Sequence, residues 1–166
     1  AGDVEGAVAA HRRTIELARA TGNPFEEVIA VHNMGNTRLH EARFDEARIH
    51  LQAALDMARR IGFRRAEMVA AGNLGNAFRA LGRLGLAAAS HRRHLALSRE
   101  IAYDRGAAFA VTNLAVCAIA WGDFDAAAAH VAELRAIAER IGPAPAEGLR
   151  AMLAGHPRLF APPELY

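Results

Sequence analysis

Asn73-Leu74-Gly75-Asn76 repeats Asn33-Met34-Gly35-Asn36 at a distance of forty residues, and Asn113-Leu114-Ala115-Val116 is a third, weaker copy another forty residues on. No gap is needed to align the three. A fixed period of this size means a repeat array, in which one supersecondary unit buries its apolar face only by stacking on the next copy. Composition says what the unit is made of. Aromatic residues are 6% of the chain and much of its 52% apolar content is Ala, which suits closely packed helices better than strands. The expectation is an all-α fold.

Taken in order, residues 3–20 place Val4, Ala7, His11, Ile15 and Ala18 on one helical stripe, and Thr21-Gly22-Asn23-Pro24 stops it. Asn23 is positioned to cap a second helix over 24–41, with Pro24 in its first turn and Glu26-Glu27 at the positive end of the helix dipole. A third helix carries Ala47, Leu51, Leu55 and Ala58 up to Gly62. Further helices are expected over 64–81, 85–101, 104–121 and 125–141, joined by turns so short that consecutive helices must be antiparallel neighbours.

Val4, Ala7, Ile15, Ala18 and Gly22 align with Phe44, Ala47, Leu55, Ala58 and Gly62, so the chain opens in the middle of a unit. The expected organisation is a half repeat over 1–22, repeats over 23–62, 63–102 and 103–142, and a C-terminal cap and extended tail over 143–166. Within that last part a short helix over 146–153 would cover the end of the stack. The tail carries Leu159, Phe160, Leu165 and Tyr166, able to lie in a groove of this chain or of a neighbour. An opening inside a repeat, at Ala1 and not at a methionine, also leads us to expect a piece of a longer protein.

These registers resemble the tetratricopeptide repeat, whose first helix carries Leu-Gly followed by an aromatic and whose second carries a small residue followed by a large one. Leu74-Gly75 with Phe78 fits the first part, and Met34-Gly35 fits it with Arg38 in place of the aromatic. Ala47 with Leu51 and Ala127 with Val131 fit the second, while Ala87 with His91 and Ala7 with His11 put His in the large slot. Gly82 and Gly122 are the turn glycines, replaced by Ala42 in the first copy. The usual period is about 34 residues, and the usual closing Pro is replaced by Arg59, Arg99 and Glu139, as in a forty-residue variety of the family. The resemblance spans residues 2–142 and implies a right-handed superhelix of antiparallel helix pairs, about seven long helices plus a short C-terminal capping helix. It also implies that Gly35, Gly75 and Ala115 face Ala47, Ala87 and Ala127 where paired helices approach closely.

The resemblance further implies a groove lined by the first helices of successive repeats. Carried over position by position, the groove residues are His32, Asn33, Asn36 and Leu39, then Val69, Asn73, Asn76 and Arg79, then Phe109, Asn113 and Val116. Ile29, His40, Gly72, Ala80, Thr112, Ile119 and Ala120 occupy the positions between them. An Asn amide carries both donors and an acceptor, so a ladder of five could hold the backbone of an extended peptide without reading its sequence. The same amides could instead tie neighbouring helices together. The polar grip should be strongest over the first two repeats and turn apolar toward Phe109, Val116 and Ile119.

Other chemistry finds little support. All twenty basic residues are Arg, and against eighteen acids they leave a net charge of +2. The pairs Arg12-Arg13, Arg59-Arg60, Arg64-Arg65 and Arg92-Arg93 are interleaved with acids and lack stacking aromatics, so direct nucleic-acid binding is not expected. No apolar run suits a membrane span, and the single Cys117 fits a reducing, cytoplasmic setting. His91 and His94 lie on one helical face, but two imidazoles are no closed metal site, and His91 falls in a core slot where a buried, hydrogen-bonded structural role is expected. No phosphate loop, nucleophile elbow or metalloprotease pattern occurs, so neither an enzyme nor a cofactor is implied. The reading is a non-catalytic protein- or peptide-binding scaffold, similar to the repeat regions of larger bacterial signalling and transcriptional regulators. The alternatives are an accessory domain of a larger enzyme and a homodimerisation module that pairs through the tail or through Val4, Ile15 and Leu17 of the unpartnered first helix.

Overall fold

The structure, a computed structural model, describes residues 4–142. They form seven helices and no strand: α1 Val4–Ala20, α2 Pro24–His40, α3 Phe44–Arg60, α4 Arg64–Ala80, α5 Leu84–Glu100, α6 Asp104–Trp121 and α7 Phe124–Ile141. The helix ends expected from sequence agree to within two residues. The capping helix and the tail fall outside the described residues. None of the described helices is long and apolar enough to cross a membrane.

Helices of 17 or 18 residues alternate with turns of two or three. The turns share one device. Gly22, Ala42, Gly62, Gly82, Ala102 and Gly122 all have positive φ, between 52° and 78°, at intervals of twenty residues. The next amide in each case reaches back to the last helical turn, as in Asn23 N to Ala18 O at 2.8 Å and Arg83 N to Phe78 O at 2.8 Å. This is the Schellman closure, in which a left-handed residue lets the chain satisfy its terminal carbonyls and reverse. Glycine takes that conformation freely, whereas Ala42 and Ala102 take it against the steric preference of an L side chain. Helix starts vary more. Asn23 and Asp123 cap α2 and α7 through their side chains, whereas α3, α4, α5 and α6 have no side-chain cap.

Every helix packs on its neighbours in sequence, and α2 additionally touches α4 across α3. No comparable contact joins α3 to α5. The stack therefore curves with α2 and α4 on its inner side; α6 holds the same register by the forty-residue period but makes no comparable contact with α4. Buried apolar residues form two clusters, one from α2, α3 and α4, the other from α5, α6 and α7, and Phe78 packs against both. Small residues set the closeness of each pair, but their opposing partners differ from expectation. A side chain on Gly35 would start 2.7 Å from Leu51 Cγ, and one on Gly75 would start 2.5 Å from His91 Cε1. The nearest neighbours are thus the large slots one turn beyond Ala47 and Ala87, which are themselves fully buried.

Polar side chains also bind the layers. Glu67 of α4 is fully buried and receives Arg59 of α3 at 3.4 Å, Arg64 of α4 at 3.0 Å and Arg93 of α5 at 2.5 Å. Burial alone would raise its pKa, yet the hydrogen bonds and charges of Arg93, Arg64 and Arg59 hold it below the usual carboxylate value. Arg38, in the slot that Phe78 fills one repeat later, is buried against Glu41 at 2.7 Å and Glu46 at 3.3 Å. The carboxylates make an aromatic slot habitable for a guanidinium.

The turn geometry yields a stability test. Ala42→Gly and Ala102→Gly should each stabilise the chain by about 1 kcal/mol, raising the melting midpoint by roughly 2–4 °C in a protein of this size. Gly82→Ala should lower it by a similar amount, because no atom lies near the added methyl and only the backbone conformation is penalised. Calorimetry of the three variants checks this, and an unchanged midpoint in all of them would exclude the turn strain.

Candidate binding groove

The inner faces of α2 and α4 bring four of the expected residues into one hydrogen-bonded group. Asn73 Nδ2 lies 3.0 Å from His32 Nε2 and 3.3 Å from Asn36 Oδ1, and His32 Nδ1 lies 3.4 Å from Asn33 Oδ1. The two hydrogens of the Asn73 amide serve the first two contacts, so His32 accepts at Nε2 and donates from Nδ1. That assignment requires a neutral imidazole. Burial lowers the His32 pKa, opposed in part by its bond to Asn33, which keeps the ring uncharged at neutral pH. These four side chains are half-buried. The group joins successive repeats and still leaves the Asn33 and Asn36 donors and the Asn73 carbonyl oxygen without a partner among the described residues.

The remaining candidates divide. Asn76 is half-buried with no intramolecular side-chain bond, and Arg79 is exposed with no acidic partner, among the described residues. Val69 is half-buried. Leu39 and Val116 pack against the two apolar clusters and contribute more to the core than to the groove. Asn113 is buried, and its amide donates to the Phe109 carbonyl one turn earlier at 3.0 Å, so its side chain is committed within its own helix. Phe109 is 41% exposed and Ile29 47%, both on the inner face in the same repeat position as Val69.

One turn earlier the same position holds Phe25, Arg65 and Arg105, absent from the candidate set. Phe25 stacks edge-on against Phe63 at 5.3 Å, and the Arg65 guanidinium lies 5.7 Å above the Tyr103 ring. Residues at this position thus reach the start of the next repeat. Extending the forty-residue register by one more turn would have found them. A shallow pocket beside them, between α1 and α2, is walled by Phe25, Ile29 and Asn33 with His11 and Thr14.

Beneath Phe109 lies an arrangement the repeat did not foretell. His91 and His94 of α5 are buried, and none of their four ring nitrogens has a hydrogen-bond partner among the described residues. The expectation of a buried His91 therefore stands, but that of a hydrogen-bonded one does not. Their rings lie 6.4 and 5.4 Å from the Phe109 ring. Gly72 makes the room, since a side chain there would start 2.2 Å from His94 Nδ1. The legible signal was the coincidence of Gly72 with His94 in the middle repeat, where the neighbouring copies read His32 with Ala54 and Thr112 with Leu134. His11, the other His in a large slot, is half-buried and lies 3.3 Å from Thr37 Oγ1. Cys117 is buried, and burial raises its thiol pKa, as fits an unreactive core residue. Among the described residues no three His, Cys, Asp or Glu gather as a metal site.

Burial lowers both imidazoles to about 4, assisted at His91 by the charges of His94 and Arg79. Unfolding frees them to bind protons from about pH 6.5 downward. The stability they confer is therefore complete above pH 6.5 and lost as pH falls toward 4, by a total on the order of a few kcal/mol. Urea unfolding across that range should show the slope. The double variant His91→Leu, His94→Ala, which copies Leu51 and Ala54, should flatten it, and an unaltered slope would show that other groups cause it.

Comparison with known proteins agrees with this architecture. Residues 26–100 match the model of the tetratricopeptide repeat. The crystal structure of the TPR domain of Arabidopsis FLU aligns with a TM-score of 0.67 and 26% identity, over 70% of this chain and 98% of that one. BtubC from P. vanneervenii aligns with a TM-score of 0.73 over 92% of this chain and 65% of its own, and at 21% identity that likeness concerns the fold alone. No curated protein matches the sequence.

Proposed function

We propose that this chain, which belongs to the tetratricopeptide-repeat family through residues 26–100, is a non-catalytic scaffold holding an extended peptide across the inner faces of α2, α4 and α6. Repeats of this family generally mediate protein–protein interaction. The observation that carries the peptide reading is the polar group His32–Asn33–Asn36–Asn73 with its unused amide donors and acceptor, continued by the unbonded Asn76. One side chain of this group both fixes the spacing of two repeats and stands beside groups free to bond a ligand backbone. The wider setting we propose is the interaction region of a larger bacterial, cytoplasmic regulator, supported by the forty-residue period and the wholly Arg basic composition. Sequencing the gene upstream of Ala1 tests it.

A second reading, self-association, is favoured by two exposed apolar residues of α1, Leu17 at 63% near its end and Val4 at 37% at its start. Ile15 belongs to it less than expected, because it packs against the core of α2, α3 and α4. Light scattering distinguishes the two, since a dimer that dissociates when Val4 and Leu17 are made polar would support assembly.

For the groove, peptides selected from a displayed random library are the probes. Each ligand bond is worth about 0.5–1.5 kcal/mol, so changing Asn36, Asn73 and Asn76 together to Ala should weaken the selected peptides by roughly ten- to a thousandfold. Asn76→Ala should weaken binding without lowering the melting midpoint, whereas Asn73→Ala should affect both. Unaltered affinity in the triple variant would rule the groove out.

A further inference from the structure

The charges of the groove helices are unequally used. Four acidic residues lie on α2, α4 and α6, and each is already engaged. Glu26 is bonded by the capping Asn23 at 3.2 Å, Glu27 pairs with Arg19 at 2.6 Å, Glu67 is buried under three arginines, and Asp104 pairs with Arg140 at 2.7 Å. Three arginines on the same helices, Arg65, Arg79 and Arg105, have no acidic partner among the described residues. Arginines of α1, α5 and α7 pair with Glu27, Glu67 and Asp104, which leaves the inner layer three unpaired cations against one acid, Glu26, that has no arginine partner among the described residues.

These cations are interleaved with apolar side chains. Arg65 is carried toward the start of α6 by its contact with Tyr103, two residues before Arg105. One turn further into the groove lie Ile29, Val69 and the exposed Phe109. His32 adds no charge of either sign, since its Nε2 must stay an acceptor for Asn73. Surface arginines without partners are common. Two of them, on α4 and α6 beside an exposed apolar row, on a face where three of the four carboxylates are paired with arginines and only Glu26 stays exposed, describe a ligand of opposite charge with large apolar side chains.

We infer that the groove accepts an extended acidic segment bearing large apolar side chains. Its carboxylates meet Arg65, Arg105 and Arg79, its apolar side chains lie against Ile29, Val69 and Phe109, and its backbone is held by the asparagines. This inference rests on the peptide-groove reading above and adds the chemistry of the occupant.

Three pools of synthetic twelve-residue peptides test it, with identical Leu, Ile and Phe positions separated by Asp and Glu, by Ser and Asn, or by Lys. Fluorescence polarisation at low salt should show the acidic pool binding at least tenfold more tightly than the neutral pool, with the gap closing as salt is raised. Arg65→Glu with Arg105→Glu should cost the acidic pool tenfold or more and leave the neutral pool within twofold. Arg60→Glu with Arg92→Glu, also exposed but on α3 and α5, should change neither. Circular dichroism establishes that both double variants are folded. Equal, salt-insensitive binding of the acidic and neutral pools would overturn the charge inference while sparing the peptide groove. Preference for the Lys pool, or acidic binding abolished by the α3 and α5 changes instead, would overturn it as well. Binding of no pool would overturn the groove reading and this inference with it.

Discussion

Six of the seven described helices end because one residue in twenty turns left-handed, at positions 22, 42, 62, 82, 102 and 122. That closure satisfies the terminal carbonyls within three residues and sends the next helix back beside the last. Equal spacing of the turns makes the helices equal in length, so positions related by forty meet the same neighbours at the same depth. Gly35 against Leu51 and Gly75 against His91 are one contact made twice. The contact survives a change from leucine to imidazole because the opposing residue has no side chain in either copy.

Within that constant frame the middle repeat departs from the others in its interior. The apolar cluster of α4 and that of α5 meet across two imidazoles, with Phe78 bridging the clusters and Phe109 lying over the rings. An uncharged imidazole is close enough to an apolar side chain in size to fill the space, and burial keeps it uncharged. The cost is four ring nitrogens without partners among the described residues, placed directly under a residue of the inner face. The core of this repeat is thus the part of the fold most sensitive to protonation, and it supports the apolar end of the groove.

The ion pairs have a similar double effect. Arg19 with Glu27, Arg93 with Glu67 and Arg140 with Asp104 join outer helices to inner ones. Partly exposed pairs of this kind contribute little stability individually, apart from the buried Glu67, whose carboxylate could not stay charged without its arginines. Their larger consequence is for the surface that remains, because pairing Glu27, Glu67 and Asp104 with arginines of the outer layer leaves Arg65, Arg79 and Arg105 of the inner one opposed only by Glu26.

Nearly all of the fold was legible in the sequence. A solenoid makes its contacts between neighbours in the chain, so the period alone determined seven helices, their antiparallel order and which positions are buried. The candidate site was legible only as a set of positions. Asn33, Asn73 and Asn113 look equivalent by register, yet the first two join a hydrogen-bonded group between repeats and the third is buried and bonded to its own helix. Periodicity places a side chain on a face but does not assign its hydrogen bonds, which depend on what the helix forty residues away offers: His32 for Asn73, and nothing comparable for Asn113. Hence the sequence by itself determined the architecture and the inner face. Only the tertiary structure decided which amides and charges on that face are already spoken for, because donors and acceptors are exhausted by partners distant in the chain.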